Sequence, residues 1–253
     1  MIAKMLLPFL GGTPMVWNTC MVFFQALLLA GYGYAHFVTT RLKPQRQVAL
    51  HLGLLVVAAS VLPIQVSDAA VASLSDQSNP SVWLLGCLLT SVGLPFFVLS
   101  TTAPLLQNWF AGTNHPSARD PYFLYAASNL GSLIALLGYP VWVEPYLRLR
   151  DQSRVWSAGY AAGALLILLC AAAAARNRNS HTETALQPGA VGQHASVSEI
   201  RPRIATRRRF RWMALSFVPS SLMLGVTTYI TTDVASIPLL WVLPLSLYLL
   251  TLI

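Results

Sequence analysis

The chain has 253 residues, of which 55% are hydrophobic and only 9% are charged. Soluble domains carry about 25% charged residues, so these few charges cannot cover the surface of a water-soluble globule of this length. Apolar stretches of about 18–25 residues recur along the chain, which is the length of helix that crosses a bilayer. The composition therefore excludes a soluble protein and predicts an all-α polytopic membrane protein.

The sequence opens with a short apolar segment, MIAKMLLPFL (1–10), which cannot cross a bilayer by itself. Seven longer apolar stretches follow in chain order, at about 14–36, 48–66, 82–108, 120–143, 154–175, 212–234 and 238–253. The last stretch stops at LTLI without a polar flank. We therefore expect that both ends of the chain are cut and that the first helix is truncated.

Basic residues in the loops predict the orientation, because Lys and Arg concentrate on the cytoplasmic side. Alternation of the spans places the loops 37–47 and 109–119 and the stretch 176–211 on one side, with twelve Lys and Arg residues in total. The other side has only Arg148, Arg150 and Arg154. The first side is predicted to be the cytoplasm, and the three arginines of the other side are an exception that the rule does not explain.

Residues 177–200 are polar and contain Gly, Pro, Ser and Thr without an apolar period, which is typical of a flexible linker. The predicted domains are an N-terminal transmembrane bundle (1–175), a flexible Arg-rich cytoplasmic linker (176–211) and the first helices of a truncated second bundle (212–253). This layout is that of a two-bundle transporter. We therefore predict a major-facilitator-like helical bundle, with a six-helix half and the start of a second half.

The segment DPYFLYAASNLGSLIALLGYP (120–140) combines a helix start with two different faces. Asp120 and Pro121 are typical of an N-cap and a first helical position. Tyr122, Tyr125 and Asn129 share one side, where they either form hydrogen bonds with adjacent helices or line a central cavity. Small residues on the other side predict a seam where a neighbouring helix packs closely. These small residues are Ala127, Gly131, Ala135 and Gly138.

Charged side chains at membrane depth are costly and usually face the interior of a bundle. Lys4 needs a partner if its helix continues upstream of residue 1, whereas a terminus at residue 1 would place it at the interface. Glu144 precedes Pro145 at a helix end and is expected at the headgroups. Asn18 and Gln25 lie seven residues apart on one helical face, and they either bond to other helices or line a path.

Catalytic and cofactor motifs are absent from the sequence: it has no Walker loop, no GxGxxG, no GxSxG and no paired carboxylates. Its three cysteines lack the spacing of metal ligands. We therefore predict no catalytic residue, no metal ligand and no cofactor. The six arginines in RPRIATRRRFRW (201–212) adjoin an apolar span, which favours a basic cytoplasmic flank over nucleic-acid binding.

Four segments resemble the membrane region of the bacterial fused major-facilitator/spermidine-synthase-like proteins. They are KMLLPFLGGTPMVWNTCMVFFQALLLAGYGYAH, STTAPLLQNWF, DPYFLYAASNLGSLIALLGYP and PSSLMLGVTTYITTDVASIPLLWVLPLSLYLL. The resemblance covers most of the chain apart from 176–211, and it implies a bacterial inner-membrane protein. In that family a soluble aminopropyltransferase-like domain, which binds a decarboxylated S-adenosylmethionine-type ligand, often follows the membrane region. A glycine-rich nucleotide loop and an acidic proton-abstraction pair do not occur in residues 1–253, so we expect that aminopropyl transfer is not a property of this stretch of chain.

Two functions follow from these observations. The first is a transporter that moves an unknown small solute by rocking two bundles around a midplane site. The second is a membrane anchor or regulatory module of a spermidine-synthase-like protein. The expected partners are the lipid bilayer, a small solute, and either a synthase-like domain or the missing helices of the second bundle. The candidate residues of a cavity or substrate path are Lys4, Asn18, Gln25, Tyr122, Tyr125 and Asn129.

Overall fold

The computed structural model describes residues 1–11, 13–72, 79–113, 115–119, 122–184, 206–229 and 242–251. These residues form helices and turns, and no strand occurs among them. The α-helices are α1 (Ile2–Leu10), α2 (Pro14–Arg41), α3 (Pro44–Ala59), α4 (Asp68–Ala72), α5 (Pro80–Leu88), α6 (Leu94–Ala111), α7 (Tyr122–Gly138), α8 (Glu144–Tyr146), α9 (Leu149–Thr184), α10 (Thr206–Tyr229) and α11 (Val242–Leu250). Two π-helical segments, Leu89–Gly93 and Tyr139–Val143, join α5 to α6 and α7 to α8, and a 3-10 turn lies at Pro116–Arg119. The prediction of an all-α chain is confirmed for this part of the sequence.

Four helical stretches are long and apolar enough to cross a membrane. They are Met15–Arg41, Pro80–Ala111, Phe123–Tyr146 and Leu149–Ala173. Large apolar side chains project from their surfaces; Leu29 of α2 is 73% exposed and Leu166 of α9 is 62% exposed. Apolar surface of this extent is unfavourable in water and suits contact with lipid. The helices are therefore compatible with an integral membrane protein that contacts the bilayer.

Helix α3 differs from the stretch 48–66 that the sequence predicts. It begins at Pro44, whose fixed φ suits a first helical position. It ends at Ala59, four residues before Pro63, and the residue before a proline is disfavoured in the α conformation. Its 16 residues reach about 24 Å at a rise of about 1.5 Å per residue, less than the roughly 30 Å of the hydrocarbon core.

The chain separates into two compact units. Unit 1 comprises residues 1–124 and 142–178, and unit 2 comprises 125–141 and 179–253. Helices α9 and α10 enter the predicted linker 176–211 from its two ends, because α9 continues to Thr184 and α10 begins at Thr206. Residues 185–205 lie outside the described part of the chain, as do Asp120 and Pro121, so the flexible linker and the helix cap stay predictions.

In unit 1, α2 packs against α1, α3, α5 and α6. The rings of Phe24 in α2 and Phe96 in α6 meet edge to face with their centroids 4.8 Å apart. Gly31 is buried where α2 passes α6, and a Cβ atom at this position would overlap the hydroxyl oxygen of Ser100. Glycine at residue 31 therefore lets the two helix backbones approach closely.

Helices α6 and α9 are joined to α3 by hydrogen bonds from buried side chains. Trp109 Nε1 in α6 donates to Gln47 Oε1 in α3 at 2.9 Å, and Gln47 Nε2 donates to the carbonyl of Leu42 at 2.8 Å. The hydroxyl of Tyr160 in α9 donates to the carbonyl of Leu55 at 3.0 Å. Gln47 and Tyr160 are only 3% and 4% exposed, so these bonds form inside unit 1.

In unit 2, α10 packs against α11. Most of the α10 side chains face outward, including Phe217, which is 70% exposed, and Leu222, which is 67% exposed. These apolar surfaces are suited to lipid or to further helices. The assembly of a second bundle, and the six-helix arrangement of the first, stay predictions.

Candidate functional site

A charged pair joins α1 to α8 in unit 1. Lys4 Nζ donates to Glu144 Oε1, although the two residues are 140 positions apart in sequence. The side chain of Lys4 is 37% exposed and that of Glu144 is 21% exposed. Glu144 lies near the end of the apolar stretch Phe123–Tyr146. The structure thus pairs Lys4 with Glu144, and whether Lys4 lies within the membrane or at its interface stays open.

The second carboxylate oxygen of Glu144 has a different environment. Glu144 Oε2 is buried and has no hydrogen-bond partner among the residues that the structure describes. Buried polar atoms in native proteins are nearly always hydrogen-bonded, and an unpaired carboxylate oxygen is costly. This oxygen is therefore a buried acceptor that is open to a further donor.

The chain reaches Glu144 through the π-helical segment Tyr139–Val143. Pro140 lies in this segment and has no N–H to donate to the preceding turn. A widened turn accommodates such a proline and changes the helix face on which the following residues lie. The π turn therefore affects the direction in which Glu144 leaves the helix, which a regular 3.6-residue period does not predict.

Two other candidates, Asn18 and Gln25, lie on α2 and are both exposed. The structure does not bring either residue to the Lys4–Glu144 pair by a hydrogen bond. Their position on one exposed face fits contact with another helix or with a solvated path, the two possibilities that the sequence left open.

The candidate residues of α7 are two tyrosines and one asparagine. Tyr122 begins α7, and its side chain lies outside the described part of the chain. Tyr125 is 45% exposed, while Asn129 is half-buried and has an interaction partner. Tyr125 and Asn129 belong to unit 2, whereas Lys4, Asn18 and Gln25 belong to unit 1. A cavity shared by all of these residues stays a prediction.

The predicted packing seam of α7 is open in the described structure. Ala127, Gly131 and Ala135 are exposed and Gly138 is half-buried. A Cβ atom added at Gly131 would have no described atom within 4 Å. A neighbouring helix on this face therefore stays a prediction.

The structure contains a buried polar cluster between α3 and α6 that the sequence does not predict. His51 is 1% exposed, with Nδ1 3.4 Å from Thr101 Oγ1 and Nε2 3.3 Å from Thr102 Oγ1. The ring of His51 also meets that of Trp109 edge to face. The available signal was the spacing of Gln47 and His51, because residues four apart share one face of a helix. Both ring nitrogens have partners, so this cluster fits a structural tie between helices.

Comparison of the chain with family models, with curated proteins and with solved structures gives no match.

Proposed function

We propose that the chain is a major-facilitator-like membrane protein of transporter type that carries an unknown small solute. Four apolar helices of spanning length support the membrane location. The charged pair of Lys4 and Glu144 supports the solute path, since ionisable residues in membrane helices commonly mark such paths.

The free oxygen of Glu144 carries this proposal. One oxygen of the carboxylate accepts from Lys4, and the other is buried without a described partner. A carboxylate oxygen in apolar surroundings accepts strongly from an amine or a hydroxyl group. A purely structural ion pair would be more stable with both oxygens bonded. The solute is therefore a small molecule with an N–H or O–H donor, which binds Glu144 beside Lys4.

The proposed location is the bacterial inner membrane, with the stretch 176–211 in the cytoplasm. The excess of Lys and Arg in the loops 37–47 and 109–119 and in that stretch supports this orientation.

Ligand-dependent stability of the purified full chain in detergent tests the proposal. A panel of amines, amino acids, sugars and polyols is screened for compounds that raise the thermal unfolding midpoint. We expect at least one compound to raise it by about 5–10 °C at roughly hundredfold excess over its Kd. The shift should disappear in E144Q, measured against that variant's own midpoint, because the neutral amide both weakens the acceptor and releases Lys4.

The matched control is D151N, which removes a partly exposed carboxylate that pairs with Arg154 and not with Lys4. This variant should retain the shift. A panel in which no compound stabilises the wild type, or in which E144Q and wild type respond equally, would contradict the proposal.

A further inference from the structure

Unit 1 also has a half-open cavity of about 440 Å³ at the start of α9. Its volume lies within the range of small-molecule pockets. Arg150 and Arg154 line it from the first turns of α9, and Gln65 lines it from the turn after α3. Met5 and Ile64 form part of an apolar wall. Its charged lining residues are the two arginines, and the ion pair of Arg154 with Asp151 offsets part of their positive charge.

The two arginines have N–H groups available for a ligand. Arg154 Nη1 lies 3.7 Å from Asp151 Oδ1, which is longer than a hydrogen bond. Arg150 makes no ion pair with any residue that the structure describes. Each planar guanidinium presents several donors in a fork that fits the oxygens of a phosphate group. The charge and geometry of the cavity therefore favour an oxyanion.

Hydrogen bonds hold the wall of the cavity in place. The hydroxyl of Ser153, which is 3% exposed, donates to the carbonyl of Ile64 at 2.6 Å. Gln152 Nε2 donates to the carbonyl of Leu147 at 2.9 Å and ties the first turn of α9 to the residues before it. Arg150 and Arg154 thus extend from a helix turn that is fixed before any ligand arrives, which lowers the cost of binding.

We propose that this cavity binds a phosphate group, carried either by the headgroup of an anionic lipid or by a free solute. Arg150 and Arg154 hold the phosphate oxygens, and the wall formed by Met5 and Ile64 receives the attached apolar group. The site is separate from the pair that carries the proposed transport function, since neither Lys4 nor Glu144 lines the cavity. Phosphate binding would also explain why Arg150 and Arg154 lie on the predicted non-cytoplasmic side, which has few other basic residues.

Inorganic phosphate is the first probe, added to the purified full chain in a neutral detergent. We expect the thermal unfolding midpoint to rise by about 5–10 °C at roughly hundredfold excess over the Kd. Sodium chloride of equal ionic strength should give no comparable rise. The rise should be lost in R150Q/R154Q and retained in R148Q, because Arg148 is an exposed neighbour that does not line the cavity. The single variants R150Q and R154Q replace the double variant if that one fails to fold.

The second probe is phosphatidylglycerol, followed by native mass spectrometry of protein released from nanodiscs, with phosphatidylcholine as the neutral comparison. Phosphatidylglycerol adducts that R150Q/R154Q loses would identify a lipid headgroup as the source of the phosphate. Stabilisation by inorganic phosphate without such adducts would identify a free solute. The proposal is overturned if neither probe binds, if chloride acts as strongly as phosphate, or if R148Q loses binding as completely as the double variant.

Discussion

At the scale of single residues, Lys4 and Glu144 show why a charged pair in an apolar setting is informative about function. Removing two charges from water costs free energy that their mutual attraction only partly offsets. Both side chains of this pair are partly exposed, which reduces the cost and also the gain. The pair is therefore a weak source of stability, which is consistent with the proposed role of Glu144 in binding.

Gly31 is the residue at which steric fit is most demanding. We expect G31A to destabilise the protein by about 1–3 kcal/mol, because its methyl group would overlap the Ser100 hydroxyl oxygen between α2 and α6. Thermal unfolding in detergent measures this loss, which should be partly recovered in G31A/S100G.

The control is G33A on the same helix. Gly33 is exposed and a Cβ atom there meets no described atom within 4 Å. Alanine should stabilise α2 at this position by about 0.5–1 kcal/mol through its higher helix propensity. Equal losses in both variants would show that Ser100 does not limit the approach of the helices.

At the scale of helices, α3 is held in unit 1 by polar side chains as well as by apolar contacts. Gln47 links the carbonyl of Leu42 to the indole of Trp109 in α6, and Tyr160 of α9 donates to the carbonyl of Leu55. Because α3 is shorter than a membrane span, we expect these buried hydrogen bonds to contribute to holding it in position.

Removing the Gln47 side chain should therefore loosen α3. In Q47A the Trp109 N–H stays buried without its acceptor, which costs about 1–3 kcal/mol. This corresponds to a midpoint of thermal unfolding lower by about 2–12 °C. Q45A, an exposed position in the same helix turn, should change the midpoint by less than about 2 °C. A midpoint unchanged in Q47A would argue against the link between α3 and α6.

For the molecule as a whole, the apolar stretches correctly predict an all-helical chain, and four of the described helical stretches are long and apolar enough to cross a membrane. The same stretches did not show where prolines end or widen a helix, as at Ala59 and in the segment Tyr139–Val143. They also did not show which faces meet other helices, because a helix that faces lipid is apolar on both its packed and its exposed sides.

The candidate site was predictable only in part. Lys4 was expected to need a partner only if its helix continues upstream of residue 1. The sequence does not identify Glu144 as that partner, because the two residues lie 140 positions apart and meet only in the folded chain. The same limit applies to the cavity that joins Met5 of α1 to Arg150 of α9. Polarity and spacing indicate Asn18 and Gln25 as candidates, but they do not determine whether a side chain faces inward. The structure places both side chains at the surface.

Uptake by proteoliposomes that contain the full chain measures whether the protein transports a solute and whether Glu144 takes part. The compounds that stabilise the purified protein are supplied in labelled form, and uptake is compared among the wild type, E144Q, D151N and empty liposomes. We expect time-dependent uptake above the empty control for the wild type and D151N, and a loss of at least about tenfold in E144Q, the factor that corresponds to about 1.4 kcal/mol. Uptake that E144Q retains in full, or binding without any uptake by the wild type, would contradict a transporter in which Glu144 holds the solute.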